Sequence, residues 1–144
     1  MARSQPGKGR EVLKVRYLLD TTVISEAIKR RPQPALIAQL EDNLDVVAVA
    51  SVTWHELLFG VGRIPDGKHR RRALQYLDQV LAPNLPTLPY DVAAAKWHAD
   101  ERLRLVAAGR TPPFVDGQIA AVAAVNRLAV VSSNARDFRH FKGL

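Results

Sequence analysis

Four short runs of aliphatic and β-branched residues punctuate a chain whose other segments carry helical periodicity, and this alternation constrains the fold most. The runs are Val12 to Asp20, Val46 to Ala50, Thr87 to Tyr90 and Leu128 to Ser132. The first closes on Tyr17, Leu18 and Leu19, successive apolar residues of the kind found in a strand covered on both faces. Pro86 and Pro89 confine the third to a short strand. Between the runs, Thr21 and Thr22 are suited to cap a helix carrying Val23, Ile24, Ala27 and Ile28. A second helix starts at Pro34 with Leu36, Ile37 and Leu40. A third opens at Thr53 and runs to Gly60 and Gly62, and a fourth spans Asp66 to Leu81. Asp91 caps a long helix ending near Gly109, and Phe114 to Arg127 forms the last, after Pro112 and Pro113. Asn134 to Phe138 reads as a turn. Strands alternating with helices predict an α/β fold, a three-layer α/β/α domain around a central, mostly parallel sheet.

The 144 residues suffice for one such domain, predicted over 12–144, preceded by a basic, flexible arm at 1–11 that holds Arg3, Lys8 and Arg10. The absence of cysteine excludes disulfides, zinc ribbons, iron–sulfur clusters and thiol catalysis, and suits the reducing cytoplasm. No apolar run approaches the roughly 18 to 20 residues that cross a bilayer, so a membrane partner is not expected. Twenty-one Lys and Arg against 14 Asp and Glu give a formal charge of +7, a field that attracts polyanions. Its densest point is Lys68 to Arg72; Arg70, Arg71 and Arg72, with Arg3, Lys8 and Arg10 of the arm, are either an RNA-steering set or a solvated face. His55-Glu56 lacks the second histidine of a zinc-protease helix, and neither Gly60-Val-Gly62 nor Gly7-Lys-Gly9 has the spacing of a phosphate loop.

In a parallel sheet, ligands bind outside the carboxyl ends of the strands. Asp20 ends the first run, Glu56 lies one turn into the helix after the second, and Asn134 and Asp137 follow the last. Asp116 opens the helix leading into that last run, so only folding can bring it to the same edge. Each acid has an ordinary alternative. Asp20 can cap a helix, Thr53 and Glu56 fit a capping box, Asp116 suits a first helical turn, and Asp137 suits a turn. Asp20, Glu56 and Asp116 nevertheless sit among core residues with no Lys or Arg beside them. Gathering such carboxylates is costly unless a cation or strong hydrogen-bond donors offset their repulsion, and a hard divalent ion, Mg²⁺ or Mn²⁺, suits oxygen ligands.

Four stretches resemble, in order, the motifs of the PIN-domain ribonucleases, specifically the VapC-like toxins of bacterial toxin–antitoxin pairs. They are Tyr17-Leu-Leu-Asp-Thr-Thr-Val-Ile-Ser-Glu26, Ser51-Val-Thr-Trp-His-Glu-Leu-Leu-Phe-Gly60, Phe114-Val-Asp-Gly-Gln-Ile-Ala-Ala-Val-Ala123 and Val130-Val-Ser-Ser-Asn-Ala-Arg-Asp-Phe138. The resemblance covers roughly Val15 to Leu144. Thr22 stands where the family often has Asn, Asn134 where some members have Asp, and Ser132-Ser133 where Thr-Arg is usual. Relatives also often add an edge strand beyond Phe141, which is expected here to be missing or abbreviated.

The resemblance implies a Mg²⁺-dependent endoribonuclease, the toxin of a toxin–antitoxin pair, hydrolysing RNA phosphodiester bonds with a metal-activated water. Asp20, Asp116 and Glu56 are then the metal residues, the first two holding the ion directly. Glu56 with Asn134 or Asp137 orients its waters. The implied partners are RNA, a small cognate antitoxin and a second copy of the chain, with DNA reached only through the antitoxin. The helix face around Leu36, Ile37 and Leu40 is a candidate dimer contact. The alternative is a catalytically inactive PIN-like module that binds nucleic acid without cutting it.

Overall fold

The computed structural model describes residues 14–144, so the arm at 1–11, with Arg3, Lys8 and Arg10, lies outside the described residues, as does the start of the first run at Val12. The element order is β1 (Tyr17–Leu19), α1 (Thr21–Ile28), α2 (Pro34–Asp42), β2 (Val47–Ala50), α3 (Ser51–Gly62) and α4 (Lys68–Gln75). Then follow a π-helical turn (Tyr76–Leu81), β3 (Thr87–Leu88), α5 (Val92–Ala107), α6 (Phe114–Val125), β4 (Ala129–Val131) and a 3₁₀ turn (Ala135–Phe138).

The four strands form one sheet in the order β3-β2-β1-β4, and every neighbouring pair is parallel. Successive residues of a strand face opposite sides, and that alternation divides the core. Leu18, Ala48 and Ala50 face a cluster built from α5, α6, Phe138 and Phe141. Leu19, Val47 and Val49 face a second cluster with Val23, Ile24, Leu57, Leu77 and Leu81. Helices therefore cover both faces, the three-layer arrangement expected from the alternation of runs. Ile119 to Ala123 are fully buried in succession, which makes α6 the most enclosed helix among the described residues.

Several boundaries differ from the sequence expectation. β1 is only Tyr17–Leu19, because Asp20 already serves as the N-cap of α1, accepting from the Thr21 N–H. The predicted cap residues Thr21 and Thr22 are thus the first residues of the helix. Asp66 lies outside α4, which starts at Lys68 and ends in the wider π turn. β4 is an edge strand with Val131 exposed, whereas the apolar run suggested full burial. Among the described residues no strand follows it. In the candidate dimer face Leu40 is buried, while Leu36 and Ile37 are half-buried against the second cluster and Leu36 borders an open groove, so part of that face stays accessible.

From β1 the chain steps outward to β2 and β3, then returns to place β4 on the other side of β1. The direction of winding reverses between β1 and β4. In open parallel sheets the crevice at such a switch point is where ligands bind.

Candidate functional site

Asp20 stands at that switch point. Its N–H donates to the Val131 carbonyl across the gap at 2.8 Å, and its carboxylate is buried. Oδ1 accepts from the Thr21 N–H at 2.8 Å, while Oδ2 accepts from the Thr22 hydroxyl at 2.9 Å and the Ser132 hydroxyl at 2.7 Å. A buried carboxylate needs such donors, since leaving it without partners costs several kcal/mol. The capping alternative for Asp20 is correct as far as it goes, but the cap occupies only one oxygen.

Glu56 reaches the same place from α3. The Thr21 hydroxyl donates to Glu56 Oε1, tying the start of α1 to the middle of α3. The capping-box alternative fails: the N-cap of α3 is Ala50, with no side-chain cap, and the Thr53 hydroxyl is buried without a hydrogen-bond partner. Glu56 is left free to face the crevice rather than the helix end.

Asp116 lies in the first turn of α6. Burial, followed by the charges of Asp20, Asp137 and Glu56, pushes its carboxyl up to about 6. All three acids thus act on it electrostatically, although 21 to 96 positions separate them from it in sequence. Asp137, on the 3₁₀ turn, is exposed, and its N–H donates to the Asn134 carbonyl at 2.9 Å. Asn134 in turn donates its N–H to the Ser132 hydroxyl at 3.0 Å. Of the two candidates for a fourth position, Asp137 contributes the charge that Asp116 senses, while Asn134 shapes the turn that carries it.

Sequence reasoning reached the hydroxyl lining only through Thr22, which stands where the family often has Asn. Thr21, Thr22 and Ser132 connect β1, α1, α3 and β4 around Asp20, and the Ser133 N–H donates to the Thr22 hydroxyl at 3.1 Å. The signal for the rest was the pairing of two hydroxyl residues directly after one strand with two after another. His98 was missed outright. Its Nδ1 and the Tyr90 hydroxyl are hydrogen-bonded at 2.8 Å, and its Nε2 lies only 2.2 Å from where a Cβ on Gly117 would stand. Burial, then the Arg102 charge, holds this imidazole below its usual range. Trp54 donates its indole N–H to the Thr87 hydroxyl, and Trp97 packs near Phe141, so both tryptophans serve packing.

Among the described residues none of the ion pairs involves Asp20, Glu56, Asp116 or Asp137. Nor do three Asp, Glu or His side chains converge tightly enough to ligate one ion by themselves. An all-oxygen set of this looseness fits Mg²⁺, which keeps several waters and takes one or two carboxylates. The repulsion felt by Asp116 is what such an ion would relieve.

Comparison with known proteins gives a consistent set of likenesses. The sequence model of the PIN domain matches residues 17–144. VapC ribonuclease Y4jK of Sinorhizobium fredii is 31% identical over 124 residues, covering 84% of this chain and 89% of that protein. VapBC-5 of Mycobacterium tuberculosis, described as a member of the VapBC family of toxin–antitoxin systems, superposes with a TM-score of 0.68 at 35% identity, covering 90% of this chain and 92% of that one. The DNA-bound VapBC of Salmonella typhimurium gives a TM-score of 0.75 at 27% identity, with 90% and 95% covered.

Proposed function

This chain belongs to the PIN-domain family, and we propose that within it the chain is a Mg²⁺- or Mn²⁺-dependent endoribonuclease, the toxin of a toxin–antitoxin pair. The observation that carries the reading is the elevated carboxyl of Asp116, perturbed by Asp20, Glu56 and Asp137 at the switch point of the sheet. Strong perturbation by burial and specific charges in a crevice marks a functional-site candidate.

Asp20 and Asp116 would hold the ion, and Glu56 with Asp137 would orient its waters. The bound ion supplies water activation and neutralisation of charge on the phosphodiester. The chain's own residues do the positioning. Thr21 fixes the Glu56 carboxylate, while Thr22 and Ser132 fix Asp20 Oδ2, leaving Oδ1 with only a backbone donor. Asn134 sets the turn that carries Asp137.

The remaining assignments extend the same reading. The cognate partner is a small antitoxin, DNA is met only through it, a second copy of this chain completes the assembly, and the site of action is the cytoplasm. No helix among the described residues is long and apolar enough to cross a membrane. Leu58 and Phe59 on α3 and Leu74 on α4 are exposed apolar side chains that a protein partner would cover.

The test is cleavage of structured RNAs with Mg²⁺ against chelator, comparing wild type with Asp20→Asn and Asp116→Asn. Cleavage that needs Mg²⁺ and falls by at least about 100-fold in both variants is expected. Undiminished cleavage in Asp116→Asn overturns the assignment, and RNA retention without cleavage identifies a binding module instead.

A further inference from the structure

The run Lys68 to Arg72 is not one uniform patch. Arg70 turns back to the Ile64 carbonyl at 3.4 Å, and Arg71 pairs with Asp66 at 3.9 Å. Lys68 and Arg72, four residues apart on one face of α4, line a cavity of about 320 Å³ together with Arg30, two residues beyond α1; the one carboxylate in the lining, Asp66, is the partner of Arg71. None of these three cations is in an ion pair among the described residues.

This basic cavity adjoins a second groove that reaches one of the site carboxylates, Glu56. That groove, of about 280 Å³, is lined by Ser25, Lys29, Glu56, Gly60 and His69, and Ile64 and His69 border both spaces. His69 bonds the Ile28 carbonyl through Nε2 at 3.1 Å, which fixes the junction between α1 and α4. One end of the path is therefore Glu56, and the other is a cluster of unpaired cations. Gly60 borders this groove, and a Cβ there would meet no atom within 4 Å, so a larger side chain has open space to fill.

We propose that this groove is the substrate track, in which a single RNA strand leaves the site at Glu56, passes Gly60 and His69 and is held by its phosphates on Arg30, Lys68 and Arg72. The proposal takes its ligand class from the nuclease reading, but it concerns binding, so the two can fail separately. Cations without carboxylate partners fit backbone phosphates, and phosphate contacts position a strand without reading its sequence.

The experiment measures binding of a fluorescein-labelled single-stranded RNA to the full chain in chelator, by anisotropy, across a salt series. The variant Arg30→Gln/Lys68→Gln/Arg72→Gln is expected to bind at least about tenfold more weakly at 0.1 M salt, with the log–log salt slope reduced by about 2. Lys96→Gln/Arg127→Gln/Lys142→Gln, with the same net charge, is expected to keep the wild-type slope. Gly60→Leu changes no charge and removes no packing, yet should weaken binding by filling the groove. Wild-type affinity and slope in the first variant overturn the track even where Mg²⁺-dependent cleavage is intact. Wild-type RNA binding that follows these patterns without any cleavage upholds the track and defeats the nuclease reading.

Discussion

Asp116 carries its proton up to about pH 6, pushed there by burial and by the carboxylates of Asp20, Asp137 and Glu56. A cation ligand must be deprotonated, so divalent-ion affinity is expected to fall about tenfold per pH unit below that value. Calorimetric titration with Mn²⁺ between pH 5 and 7, intervals chosen to bracket about one unit either side, checks this, and a flat profile removes Asp116 from the ligand set. The sign for stability is opposite in sense. A carboxyl raised above its ordinary 3.8 stabilises the fold below that value, loses this as pH climbs to about 6, and leaves unrelieved repulsion at neutrality. Asp116→Asn should therefore make the ion-free protein more stable at pH 7, by about 1 kcal/mol once the half-exposed position is discounted. Thermal melts in chelator read this directly. At this scale the acids were legible, because Asp20, Glu56 and Asp116 each interrupt apolar stretches that a core would otherwise use. The hydroxyls were legible only at Thr22, which stands where the family often has Asn. Thr21 and Thr22 satisfy helix-start preferences equally well, and only the approach of β4 shows that Ser132 shares Asp20 with Thr22.

Between α5 and α6 the packing is close enough that one hydrogen atom decides it. Gly117 admits His98 at a distance no Cβ tolerates, and the ring is pinned on its other side by Tyr90 and flanked by Phe114, whose centroid is 4.9 Å away. The imidazole has nowhere to withdraw, so Gly117→Ala is expected to destabilise by about 2 kcal/mol through overpacking. It should also lower the affinity for Mn²⁺, because Asp116 sits on the same helical turn. Denaturant midpoints and metal titration separate the two effects. The end of α6 offers the reverse change. Arg127 adopts a left-handed conformation with φ 57°, and Leu128 and Arg127 donate to the Ala123 and Ala124 carbonyls in the bonding pattern of a helix terminator that favours glycine. Arg127→Gly should stabilise by about 1 kcal/mol, visible as a melting temperature a few degrees higher. Elements were legible where local chemistry was strong: Pro34 at the start of α2, and Asp91 accepting from the Ala94 N–H at the start of α5. They were misread where tertiary context decided. β4 looks buried by composition, yet it pairs on one side only.

For the whole molecule, the alternation of runs fixed the layers, but no local signal orders strands as β3-β2-β1-β4, and that order creates the crevice. Strand order follows from which helix pair covers which face, a property of the assembled core rather than of any segment. The same assembly concentrates four acids inside a chain whose formal charge is +7. A local excess of negative charge in a positive body attracts a cation at short range while the surrounding surface attracts a polyanion. Ion binding to the folded chain alone must then raise its stability by mass action. With about 10 mM Mg²⁺ and a site of about 1 mM affinity, the gain is about 1.4 kcal/mol, a rise of a few degrees in melting temperature over the chelated protein. The rise should disappear in Asp20→Asn and Asp116→Asn and persist in Arg30→Gln/Lys68→Gln/Arg72→Gln, which leaves the carboxylates untouched. Equal melting temperatures with Mg²⁺ and with chelator, in a wild type that still cleaves RNA, would mean that the ion arrives with the substrate rather than before it. The phosphate would then be one of its ligands, as expected for a site offering few direct carboxylates.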